Sequence, residues 1–177
     1  LPDCQSTKFL TPTAEAANLQ RQLDKYVMDL SKKIGIDFGK LANVKVVTDL
    51  ASLTRPGQQD VGGFNQYTKE LTVNIKELDE EFDALSTVAH ELGHALDLKL
   101  GDRGDLASDY ATNPGVMAVV DEFKKVVEER GDTEGATEDW KKYYTSPDEL
   151  FANAFMEYAP GKTHSLSLEK LLKETSQ

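Results

Sequence analysis

The sequence predicts an α+β fold: a small mixed sheet with an edge hairpin packed on the helix of residues 80–100, then a mainly helical C-terminal lobe. Three observations predict it. Short β-branched and alternating runs are confined to residues 44–75. Apolar residues recur at helical spacing before and after them. Beyond residue 100 the apolar pattern is helical only.

Residues 1–12 are polar, hold two prolines and read as a flexible lead-in containing the lone Cys4. Residues 14–34 read as a helix, with Ala16, Leu19, Leu23, Tyr26, Val27 and Leu30 along one face and Gly35 after it. Val44-Lys45-Val46-Val47-Thr48 has the composition of a strand, and residues 49–60, around Arg55-Pro56-Gly57, that of a loop. A hairpin is expected from residues 62–67 and 70–75 around a turn at Thr68-Lys69. In it Leu71, Val73 and Ile75 alternate with polar residues, as if one face were buried and the other solvated.

Leu85, Val88, Ala89, Leu92, Leu96 and Leu100 define the next helix. Asp79, Glu80, Glu81 and Asp83 stand where its dipole is positive, and Gly101 where a C-terminal cap belongs. Residues 101–113 read as a surface loop whose Asp102, Asp105 and Asp109 are solvated turn acids, since their spacing fits no calcium loop. Helices are then expected over 114–130, 147–158 and from about Ser165, with a loop at 131–139. The chain divides into residues 13–100 and 101–177 as two lobes of a single domain.

The 177 residues carry a formal net charge of −11. That balance argues against nucleic acid and against an anionic membrane surface as partners. No apolar run is long enough to span a bilayer. No signal-peptide pattern and no initiator Met begin the chain, as expected of a processed form or an excised domain. One cysteine forms no internal disulfide and says little about redox compartment.

His90-Glu91-Leu92-Gly93-His94 carries the chemistry. On a helix, residues four apart share a face, so His90 and His94 offer two imidazoles to one metal ion. Glu91 stands one step round, within reach of a proton on a metal-activated water. By chance such a motif arises in roughly one in a few hundred chains of this length. Gly93 either leaves room for another segment or a substrate to pass closely or is a plain packing glycine.

A catalytic zinc needs a third protein ligand. His164, in a polar stretch after Pro160-Gly161, is a weak candidate, and Asp97 is placed to buffer a histidine or sit at the rim. The helix from 147 is apolar nearly all round except for Glu149, Asn153 and Glu157, which form one stripe. Glu149 is the ligand candidate and Glu157 the reserve. Ser146-Pro147-Asp148-Glu149 also matches a capping box, in which Glu149 would instead serve its own helix.

The run His90-Glu91-Leu92-Gly93-His94-Ala95-Leu96-Asp97, with Glu149-Leu150-Phe151-Ala152-Asn153-Ala154-Phe155 after a long insert, resembles the gluzincin zinc metallopeptidases. More narrowly it resembles the anthrax-lethal-factor-like domain, also seen in Pro-Pro endopeptidases. The resemblance covers about residues 60–160. It implies a zincin-like fold, one zinc ion per chain held by His90, His94 and Glu149, and Glu91 as general base. It also implies a tyrosine upstream of the glutamate helix that steadies the oxyanion. Tyr143 and Tyr144 are the candidates, set a residue or two closer to Glu149 than the family spacing. Asn153 stands where the family commonly has a carboxylate.

The expected activity is zinc-dependent endopeptidase cleavage of a peptide or protein substrate by a monomer; the sequence does not fix the compartment, with a secreted or a virion- or toxin-associated protein favoured over a cytoplasmic one. The alternative is a zinc-binding module of the same fold that binds without turnover. Intact Glu91 argues against that alternative. The strand of residues 62–67 is expected to form the upper rim of the cleft and to pair with an extended substrate.

Overall fold

A computed structural model describes residues 12–47, 61–78, 83–130, 145–158 and 165–176. Its first element, α1 (Pro12–Ile34), buries Leu23, Val27 and Leu30 on one face. The helix ends where Gly35 takes φ +83° and its N–H reaches the Ser31 carbonyl, a left-handed exit that glycine adopts without steric cost.

A single 3-10 turn at Phe38–Lys40 leads into β1 (Asn43–Val47). Among the described residues it forms, with β2 (Gly62–Phe64) and β3 (Glu70–Asn74), a three-stranded mixed sheet in the order β1-β3-β2. β1 runs parallel to β3, Val44 opposite Leu71, and β2 runs antiparallel to it, Gly63 opposite Thr72. The expected hairpin is present, but its turn is wider than Thr68-Lys69. The Asn65 side chain accepts from the backbone N–H groups of Tyr67 and Thr68 at 2.9 and 3.1 Å. Asn65 thereby leaves the strand and starts the turn early.

The expected one-sided alternation in β3 does not hold. Thr72 and Asn74 are buried along with Leu71 and Val73. The central strand is covered on both faces, and its polar side chains go to local backbone: Thr72 Oγ1 donates to the Gly63 carbonyl, and Asn74 Oδ1 accepts from Lys76 N.

The central helix is α2 (Ala84–Leu100). It starts later than residue 80 because Asp83 is its N-cap, accepting from Ser86 N at 2.7 Å. Gly101 is the C-cap, though in extended backbone at φ −81°. Glycine is required there for space: a Cβ would fall 1.8 Å from the Asp105 carbonyl oxygen. The stretch 101–113 is not all loop, since it holds the one-turn helix α3 (Ala107–Tyr110).

The C-terminal helices are α4 (Pro114–Arg130), α5 (Pro147–Tyr158) and α6 (Leu166–Thr175). Ser165 caps α6, accepting from Leu168 N, and Glu122 of α4 accepts from the hydroxyls of Ser165 and Ser167. The hairpin packs on α2, α5 lies along α2, and α4 and α6 pack together behind α5. One hydrophobic cluster joins these layers, running from Leu23 through Leu71 and Leu92 to Val119, Phe155 and Leu168. Among the described residues no helix is long and apolar enough to cross a membrane.

Candidate metal centre

Two helices build the site. α2 carries His90 and His94 one turn apart, and α5 carries Glu149 in its first turn. They meet closely because Gly93 has no side chain: a Cβ there would stand 2.8 Å from Ala152 Cα and 3.2 Å from the Ala152 carbonyl oxygen. Gly93 is thus a packing glycine at the point where another helix passes closely.

The Nε2 atoms of His90 and His94 each lie 3.2 Å from a different oxygen of Glu149. The three offered ligand atoms lie within 4.8 Å of one another. Among the described residues this is the group of His, Cys, Asp and Glu side chains that could hold a metal ion. Ligands about 2.0–2.1 Å from a tetrahedral zinc stand about 3.3–3.4 Å apart; the two histidine-to-glutamate separations of 3.2 Å, each to a different Glu149 oxygen, are close to that spacing. The donor set, two imidazoles and a carboxylate, also suits zinc.

The ring orientations are held from behind. His90 Nδ1 lies 2.9 Å from Asn153 Oδ1. With an amide oxygen facing it, Nδ1 carries a proton, so that once Nε2 gives up the proton it shares with Glu149 its lone pair is available to a metal ion. The two imidazoles stand edge to face with centroids 4.9 Å apart.

The electrostatics match this close grouping. Burial opposes ionisation of Glu149, but hydrogen bonds from His90 and His94 and their charges outweigh it and hold its pKa down to about 2. For His94, burial acts against the charged form. The Glu149 hydrogen bond, helped by the charges of Glu91, Glu149 and Asp148, reverses the sign and raises its pKa. Glu91, one residue past His90, is 8% exposed.

Asp97 neither buffers a histidine by hydrogen bond nor sits at a rim. It is fully buried, its carboxylate accepting from Ser108 N at 2.8 Å and from the Ser108 hydroxyl. Burial pushes its pKa up to about 6 against those two bonds. This clamp ties the end of α2 to α3. It sets Asp109 where Asp148 and His94 both act on its charge, Asp148 raising and His94 lowering its pKa after the larger effect of burial.

The polar stripe on α5 splits. Glu149 and Asn153 face α2, whereas Glu157 turns to α4 and pairs with Arg130 through both carboxylate oxygens. Both Glu149 oxygens are directed at the histidines. Tyr143, Tyr144 and His164 lie outside the described residues. Ser108 was missed as the partner of Asp97, because nothing local to residue 108 marks it as one.

No protein-family model, curated protein or solved structure matches the chain.

Proposed function

We propose that the chain is a zinc-dependent endopeptidase of the gluzincin type, with a zincin-like arrangement of sheet, motif helix and glutamate helix. The observation that carries this reading is the convergence of His90 and His94 Nε2 on the two oxygens of Glu149, each at 3.2 Å, with Glu91 on the adjoining helix position.

His90, His94 and Glu149 would hold the ion. Bound there, zinc would supply a Lewis acid that polarises the scissile carbonyl and brings the pKa of water toward neutrality. Glu91 takes the proton from the attacking water and delivers it to the leaving amine. Asn153 keeps His90 in the tautomer that faces the ion. Tyr143 or Tyr144 donates to the oxyanion.

The substrate in this reading is an extended peptide lying along β2. Asn65 N donates to the Glu70 carbonyl and Asn74 N to the Val61 carbonyl. By the antiparallel alternation, Gly62 and Phe64 therefore turn their backbone groups away from β3. Gly62 rests on Thr87, within 2.6 Å of where its Cβ would be and one turn before His90. A strand added to this edge runs past the metal centre.

The test is a peptide-library digest with zinc-loaded protein and with Glu91→Gln. Cleavage is expected to fall by about 10²–10⁴-fold in the variant, with zinc stoichiometry unchanged by elemental analysis. Equal cleavage by both proteins would sink the enzyme reading. A native protein without stoichiometric zinc would sink the metal centre.

A further inference from the structure

An open cavity of about 600 Å³ lies where the first two turns of α2 face α1. Leu19 and Tyr26 of α1, Leu85 and Ala89 of α2 and Met156 of α5 give it apolar walls. Leu85 is 47% exposed, so that lining is open to solvent. Cavities of about 300–1,000 Å³ take ligands of drug size, which is about two or three residues of a peptide. The charges around this one are unequal. Asp29 and Asp83 stand against Lys25, in a chain of net charge −11. Asp83 lies near enough to Tyr26 for its charge, after the larger effect of burial, to raise the Tyr26 pKa. Apolar walls under a surplus of carboxylates favour an apolar side chain next to a cationic one.

Two helix faces lead from the metal centre to this cavity. On α2, His94, His90, Thr87 and Asp83 follow one another at helical spacing along one face. The last of them lines the cavity. On α5, Glu149, Asn153 and Met156 make the same passage. The edge strand joins this path, because Gly62 of β2 rests on Thr87. Seven residues of sequence separate His90 from Asp83. That is about 10 Å along a helix axis, a span that about three extended residues cover.

We propose that the cavity is an exosite of the peptidase, holding the part of the substrate that leaves the cleft at the Gly62 end of β2. The inference rests on the peptidase reading above. The substrate class it defines is an extended peptide with a large apolar residue next to Lys or Arg. The pair stands about three to five positions from the scissile bond, on one side of it only. The apolar residue packs on Leu85 and Met156, and its cationic neighbour faces Asp83 and Asp29.

In the experiment, zinc-loaded wild type digests a library of long random peptides, and the residues around each cut are profiled. The apolar–basic pair is expected on one side of the cut. The best peptide is then compared with one truncated short of the pair, on the wild type and on Gln22→Trp. Gln22 is an exposed rim position, and the new ring fills the cavity. In the wild type, truncation is expected to raise KM at least about tenfold with kcat little changed. In Gln22→Trp it should change KM little, whereas a variant that merely loosened the fold would keep the wild-type ratio. Asp29→Lys should turn the preference beside the apolar residue from basic to acidic. Cuts without the pair, or a truncated peptide cleaved as well as the long one, overturn the exosite and leave the peptidase standing. No cut in any peptide overturns both. A wild type that sediments as a dimer and is split by Gln22→Trp has a second copy in the cavity, which also overturns the exosite. Should Gln22→Trp not fold, the truncation and Asp29→Lys decide.

Discussion

His90 and Asn153 are joined across the α2–α5 contact, Nδ1 to Oδ1 at 2.9 Å. The bond couples a ligand candidate to the same helix that supplies Glu149, so one packing contact sets both. Asn153→Ala removes the acceptor and frees the ring. Zinc affinity, measured by chelator competition, is expected to fall about 10–100-fold. Asn153→Asp should bind zinc more tightly than the wild type, because an anionic acceptor raises the basicity of His90. An unchanged affinity in both variants would contradict the coupling.

The metal-free protein should show a stability maximum set by Glu149 and His94. The Glu149 pKa is lowered from 4.5 to about 2, so its contribution is present above 4.5 and lost as pH falls toward 2. The His94 pKa is raised above 6.5, so its contribution is present below 6.5 and lost as pH rises through the folded value. The cluster thus stabilises the metal-free chain most between 4.5 and 6.5. Urea unfolding after chelation should show both limbs, and His94→Gln should flatten the alkaline one. Zinc competes with the His94 proton, so its affinity should rise with pH across the same limb.

Gly93→Ala places a methyl group 2.8 Å from Ala152 Cα. Neither backbone can yield without separating α2 from α5. A destabilisation of about 1–3 kcal/mol is expected, read as a lower thermal midpoint. Zinc affinity should fall with it, because Glu149 retreats from the histidines. A variant as stable as the wild type, with full affinity, would show that the contact is not what sets the site.

Asp97 gives a separable test of the α2–α3 clamp. Its pKa is raised to about 6, so ionisation costs stability as pH rises from 3.8 through 6. Asp97→Asn keeps an acceptor for Ser108 N and cannot ionise. It should match the wild type near pH 4 and exceed it above 6. Asp97→Ala leaves Ser108 without its acceptor and should lose about 1–3 kcal/mol. Chemical denaturation of both variants at the two pH values distinguishes them.

Much of this was legible in the chain because it is local. The helix spans of 114–130 and 147–158 follow from apolar periodicity and from Pro114 and Pro147 at their starts. The pairing of His90 with His94 follows from four-residue spacing alone. Asn153 was legible as a polar member of the stripe with Glu149, and its pairing with His90 came only with the packing of α5 on α2. The hairpin was legible too, but not the width of its turn, where one Asn side chain overrode the strand pattern. Glu157 had the same periodic credentials as Glu149 and went elsewhere, to Arg130. Periodicity gives a side chain's angle on its helix, and not which neighbour lies beyond it.

By itself the sequence determined the elements, the residue types that could hold a metal ion and their spacing along each helix, since those depend on backbone periodicity and on capping within a few residues. The tertiary structure decided which distant groups meet. It brought Glu149 to the two histidines and buried Asp97 against Ser108. Those pairings depend on how closely helices and strands approach, and that is governed by packing at positions such as Gly93 and Gly62, far in sequence from the groups they bring together.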